Sequence, residues 1–222
     1  GDAELTESTL SDAGDIFSRL KEIALQASNG DLTADDRKTL GVEVAGLKDT
    51  LLKLGNTRGT RGYLFSGSAV TTAAFDATGA FQGNDTVHTV QIGNSTPTAV
   101  STSGADAFVV AGGRDVFADL QTLSTALAAN DITNIRASID NVTASQTQLI
   151  NARARSGLVL SKLDASESVL TSLDTEQQKR AQTTGAADPY ESYTRVTALG
   201  QSLDRAIAVS KQILDLGGNN RF

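Results

Sequence analysis

Few side chains in this sequence are of a type and spacing that could carry chemistry. His88, the only histidine, lies in an alternating stretch from Val87 to Val90, where an imidazole could serve as a base or a metal ligand. It lacks partners at a workable spacing: there is no HExxH, no cysteine pair and no Asp-rich calcium loop, so it reads as a polar-face histidine and no metal is assigned. The acidic pair Asp35 and Asp36 falls where a helix should begin, and the helix dipole favours negative charge there, so it reads as a first-turn feature and not as a catalytic pair. Gly59, Gly62 and Gly67 lack the Gly-Lys-Ser/Thr ending of a phosphate-binding loop and read as chain reversals. No GxSxG pattern occurs. Catalytic and cofactor residues are therefore assigned to none, and the chain is expected not to be an enzyme. Arg153, Arg155 and Gly157 interrupt a long apolar stripe. A glycine inside a helix costs about 1 kcal/mol against alanine, so either a neighbour approaches closely at Gly157 or the residue is simply tolerated.

The elements that would position these groups follow from composition and periodicity. The 222 residues include no Cys and no Trp, and aromatic residues make up 5%. Disulfides and thiolate chemistry are thus absent, and a core must be built from Leu, Ile, Val and Ala, as in helix bundles. A net charge of −7 without any Lys/Arg cluster argues against nucleic acid and anionic membranes as partners. No apolar run is long enough to span a bilayer, and no basic-then-apolar signal pattern opens the chain. It contains no Met and opens on Gly1 directly into an acidic helical pattern, which points to a processed or truncated product lacking an N-terminal segment.

Leu10, Ala13, Phe17, Leu20, Ala24 and Ala27 are spaced three and four alternately, the seam of a helix packed along another. Asn29 and Gly30 should end it in a left-handed cap. Thr33 to Asp36 reads as a capping box opening a second, antiparallel helix through Leu40, Val44, Leu47, Leu51 and Leu54. From Gly59 the texture changes. Phe75, Phe81, Val87, Val90, Ile92, Val100 and Phe108 to Val110 sit in short runs between Gly79, Gly83, Gly93, Pro97 and Gly104, which predicts a small antiparallel sheet. Helical signals return at Asp115, with Val116, Leu120, Leu123 and Leu127 and a stop at Asn130. Ile132, Ile135, Ile139, Val142, Leu149, Leu160, Leu163, Leu170 and Leu173 then sustain one stripe over about 50 residues, roughly 75 Å at 1.5 Å per residue. Asp188, Pro189 and Glu191 supply a cap, a first-turn proline and a first-turn acid for a last helix carrying Val196, Leu199, Leu203, Ile207, Ile213 and Leu214 and ending at Gly217 and Gly218.

The expected fold is mainly α: an elongated antiparallel helical bundle with a small inserted β-domain. Its parts are 1–67 and 113–188 as the two halves of the rod, 68–112 as a separable insert, and 189–222 as a terminal assembly segment. The six apolar positions of the last helix are the candidate partner-binding residues.

Four stretches give the chain a resemblance to the flagellin-like axial proteins of bacterial flagella, in particular the hook-associated protein 3 branch: IALQASNGDLTADDR at 23–37, RGYLFSG at 61–67, AAFDATGAFQGND at 73–85 closed by GGRDVFADLQTL at 112–123, and NARARSGLVLSKLDASE at 151–167. RGYLFSG discriminates best, since flagellins usually carry a segment resembling Thr-Gln-Phe-Asn-Gly there. Arg155 and Ser156 depart from the family's acidic residue and Val. The resemblance implies a flagellin-like rod and an extracellular structural subunit exported through the flagellar type III channel and joining hook to filament. As partners it implies other copies in a ring, the first hook-filament junction protein, flagellin and a cytoplasmic export chaperone that holds the C-terminal helix. Flagellin itself, the bulk filament subunit, is the nearest alternative, and a coiled-coil adhesin or interaction module is the alternative of another class.

Overall fold

A computed structural model describes residues 1–90, 97–185 and 189–218, excluding the side chains of 90, 98, 183–185, 189–192 and 210–218. Its described residues are mainly helical: α1 (Asp2–Ala27), α2 (Ala34–Gly55), α3 (Gly104–Ala107), α4 (Val116–Ala128), α5 (Ile132–Gly185) and α6 (Pro189–Gly218). The chain divides into two compact units, Gly1–Ser166 and Glu167–Phe222, with the division inside α5 and not at its end. No described helix is long and apolar enough to cross a membrane.

In the first unit the expected seam of α1 is the buried one, with Leu10, Ala13, Phe17, Leu20, Ala24 and Ala27 all inaccessible. Cross-links fix the direction of its neighbours. Arg19 pairs with Glu43 at 2.7 Å and the Arg37 Nε donates to the Ala27 carbonyl, so α2 runs antiparallel to α1. Arg136 donates to the Ser28 carbonyl, Gln146 to the Ser18 hydroxyl and Arg153 to Glu7, so α5 is antiparallel to α1 as well. On its other side α2 packs against α4. A Cβ at Gly41 would meet the Leu127 Cβ at 3.2 Å, so a larger residue there would have to push the two helices slightly apart.

Caps decide where these helices begin and end. The capping box at Thr33 forms as read: the Asp36 N–H donates to the Thr33 hydroxyl at 3.2 Å, and the Thr33 N–H to Asp36 at 3.1 Å. The Asp115 carboxylate accepts from the Ala118 N–H to open α4, and Asn130, at φ 53°, closes it in the left-handed region. The left-handed cap expected at Asn29 and Gly30 does not form, because Ser28 caps α1 in right-handed geometry. The charge of Arg37 satisfies the turn instead. This buried guanidinium donates to the carbonyls of Ala27, Asn29 and Leu32 and to Oδ1 of Asn130, placing a cation at the negative end of the α1 dipole.

Segment 68–112 is built differently from the small sheet expected there. Its described residues contain one two-residue antiparallel pair, β1 (Thr89–Val90) with β2 (Thr98–Ala99), isolated bridges, turns and α3. Ile92 and Gly93 lie outside the described residues. Aromatic packing, more than strand pairing, holds this segment. Phe75 sits against Phe81, Phe108 and Phe117 at ring-centroid distances of 5.5, 5.4 and 4.9 Å, and Phe65 meets Phe108 edge-on at 5.3 Å. Phe65 and Phe117 come from outside the segment, so its rings share one core with the helices. Asn56 locks the arrangement: its carboxamide both donates to the Phe75 carbonyl and accepts from the Phe75 N–H. Within RGYLFSG the turn glycines Gly62 and Gly67 have positive φ, while Leu64, Phe65 and Ser66 are buried.

In the second unit α6 opens on Pro189, whose fixed φ suits a first helical turn. Asp188, expected as its cap, lies outside the described residues.

Candidate assembly interface

Three-four spacing orders a stripe along α5 and another along α6; the exposed Ile150, Leu158, Val169 and Val209 lie off these stripes. Along α5 the positions Ile135, Ser138, Val142, Ser145, Leu149, Ala152 and Ser156 alternate by three and four and are all buried. The Ser145 hydroxyl in this seam is tied to Asp119 of α4. The next members, Val159, Leu163 and Ser166, are half-buried. Leu170 and Leu173, still in register, are 64% and 53% exposed.

The α6 stripe is open in the same way. Val196, Leu199, Leu203 and Ile207 follow one another at three and four residues on one face and keep between 47% and 69% of their surface exposed, with Tyr193 extending the stripe by a turn. Ile213 and Leu214 belong to α6, and their side chains lie outside the described residues. A row of large apolar side chains in water is costly, at about 25 cal/mol for each Å² left uncovered. Rows of this kind are what proteins bury when they meet a partner.

The titratable residues singled out in the sequence are placed elsewhere and apart. His88 is half-buried beside β2, with its N–H bonded to the Ser101 hydroxyl and its carbonyl accepting from Val100. It borders a cavity of about 20 Å³ that Asp2, Arg61 and Tyr63 also line. Asp2 is already engaged there: hydrogen bonds from the Thr60 hydroxyl and N–H, aided by Arg61, hold its carboxyl below the usual range. Asp36 is held down likewise by Thr33. Among the described residues no three His, Cys, Asp or Glu side chains gather as a metal site would require.

Arg153 pairs with Glu7 at 2.7 Å, and Arg155 donates to the Asp106 carbonyl at 3.1 Å. Nothing approaches Gly157, so close packing is not why a glycine stands there. Two structural groups escaped the sequence reading. One is Arg37. The other is the buried Asp119, which accepts from the guanidinium of Arg114 and from the Ser145 hydroxyl and so ties α4 to α5. Ser145 at a seam position was the available signal for it, since a buried hydroxyl needs a partner.

The arrangement is one of helices packed side by side, with the far end of the α5 seam and one face of α6 exposed. No family model matches the chain. Over 106 residues it is 34% identical to flagellar hook-associated protein 3 of Salmonella typhimurium, a match covering 47% of this chain and 33% of that protein. The chain thus spans about a third of that relative's length. Polar flagellin E of Vibrio parahaemolyticus is 45% identical over 49 residues, 22% of this chain and 13% of that protein. The fold is that of Xanthomonas campestris FlgL, with a TM-score of 0.73 at 20% identity over 82% of this chain and 93% of that one. These relatives are the flagellin-like axial proteins that the four sequence stretches resemble.

Proposed function

We propose that the chain is the helical portion of an extracellular, non-enzymatic structural subunit of the bacterial flagellum, at the junction of hook and filament, and that it assembles by helix-helix packing. The observation that carries this reading is the heptad stripe of α6, open at Val196, Leu199, Leu203 and Ile207, on a fold shared with FlgL. We assign Ile213 and Leu214 to the same surface. Other copies in a ring, the first junction protein and flagellin are the partners in the assembled state, and an export chaperone covers α6 before secretion through the type III channel. In this reading 1–67 and 113–188 are the two halves of the rod, joined through 68–112, and 189–222 is the assembly segment.

Changing Leu199 and Leu203 together to Asp should abolish chaperone binding and ring incorporation while leaving the melting temperature nearly unchanged. Global unfolding of that variant would mean that α6 belongs to the core. A second reading, bulk filament flagellin, draws on the 45% identity to polar flagellin E. Self-polymerisation of the chain into long filaments without a hook cap would favour it. The antiparallel pairing of α1 with α2 weighs against a parallel-trimer adhesin.

A further inference from the structure

We infer that Asn29 is a site of spontaneous deamidation and isoaspartate formation in the folded protein, made so by the turn between α1 and α2. Asn29–Gly30 is the only Asn–Gly pair in the chain. Both residues are exposed. A Cβ built on Gly30 would meet nothing within 4 Å, so the space beside the peptide is open. No hydrogen bond holds the Gly30 N–H or the Asn29 Nδ2 among the described residues, and the Asn29 side chain makes only a long contact of 3.3 Å, from the Asp31 N–H to its Oδ1.

Other asparagines show the contrast. The Asn84 carboxamide is held by Ser68 and Thr86. Asn56 is held at both ends by Phe75, and Oδ1 of Asn130 takes a guanidinium hydrogen of Arg37.

The reaction needs water alone. The Gly30 nitrogen, on losing its proton, attacks Cγ of Asn29. A new N–Cγ bond forms, the Cγ–Nδ2 bond breaks, and the amide nitrogen takes up a proton and leaves as ammonia. Water then opens the cyclic imide. Addition at Cγ yields aspartate at position 29, and addition at the main-chain carbonyl yields isoaspartate, whose backbone runs through Cβ and Cγ. That second product moves the very carbonyl to which the Arg37 Nη2 donates at 2.6 Å. Conversion therefore loosens the clamp closing α1 onto α2.

The test is to incubate the whole folded chain at mildly alkaline pH and follow each asparagine by peptide mapping with isoaspartate detection. Asn29 should convert several-fold faster than Asn56, Asn84 and Asn130 in the same molecules, and the converted fraction should melt at a lower temperature. Gly30→Ala should suppress conversion without loss of fold, since the position is open and does not have the positive φ that favours glycine. Equal rates at Asn29 and Asn84, or no effect of Gly30→Ala in a variant that melts like the parent, would overturn the inference.

Discussion

The two ends of α5 differ in burial while sharing one pattern. From Ile135 to Ser156 each member of its three-four spacing is buried, against α1 on one side and α4 on the other. At Leu170 and Leu173 the same register continues in the second unit, exposed. Residue type does not separate the two ends, since the open positions are leucines and several of the buried ones are serines. The lesson is that heptad spacing specifies a face able to pack, and only a neighbour makes it core.

The largest test of this contrast removes the aromatic cover. Replacing 68–111 by a short Gly/Ser linker deletes Phe75, Phe81 and Phe108 from the shared core, so the first unit should lose its cooperative melt while α6 remains able to bind a partner. Retention of the helical circular dichroism and melting temperature would show that 68–112 is separable after all. A gentler version compares single truncations. Phe75→Ala should cost about 3–5 kcal/mol, because the surrounding rings cannot close the cavity, whereas Leu170→Ala in the uncovered stretch should fall within about 0.5 kcal/mol. Equal costs in denaturant melts would mean that Leu170 is covered in solution, by another copy or by another part of the chain.

Arg37→Ala comes next. It leaves the carbonyls of Ala27, Asn29 and Leu32 without their donor, at a cost of roughly 1–3 kcal/mol in the first unit. Lys, which lacks the planar fork, should restore only part of it.

The smallest effect is that of acid. Asp2, Asp36, Asp76 and Asp131 all have carboxyls held below their ordinary value of 3.8, mainly by hydrogen bonds from Thr60, Thr33, Thr78 and Asn134 respectively. A lowered folded-state pKa stabilises fully above the unfolded value and is lost as pH falls through the folded one. Stability should therefore be flat above about pH 5 and decline only as pH drops toward and below 3.8. All four groups lie in the first unit, so acid should lower its melt and leave partner binding by Val196 and Leu199 less affected. A stability maximum near pH 4 would contradict the assigned bonds.

Periodicity by itself determined the course of the helices: the seam of α1, the capping box at Thr33, the return of helix at Asp115, the stop at Asn130 and the stripes of α5 and α6 are local patterns, set by side chains three and four residues apart. The spacing of turns and β-branched residues likewise marked 68–112 as a break between the long helices, although the four-residue α3 lies within it. What it contains was decided in three dimensions, because rings from Phe65 and Phe117, distant in sequence, replace strand pairing as its main support. The end of α1 was decided there too: a cation ten residues downstream satisfies its carbonyls, where a glycine cap was the local expectation. Which leucines form core and which remain open to a partner was also a tertiary decision, since burial depends on whether α1 and α4 lie alongside, and spacing within one helix carries no information about where its neighbours stop.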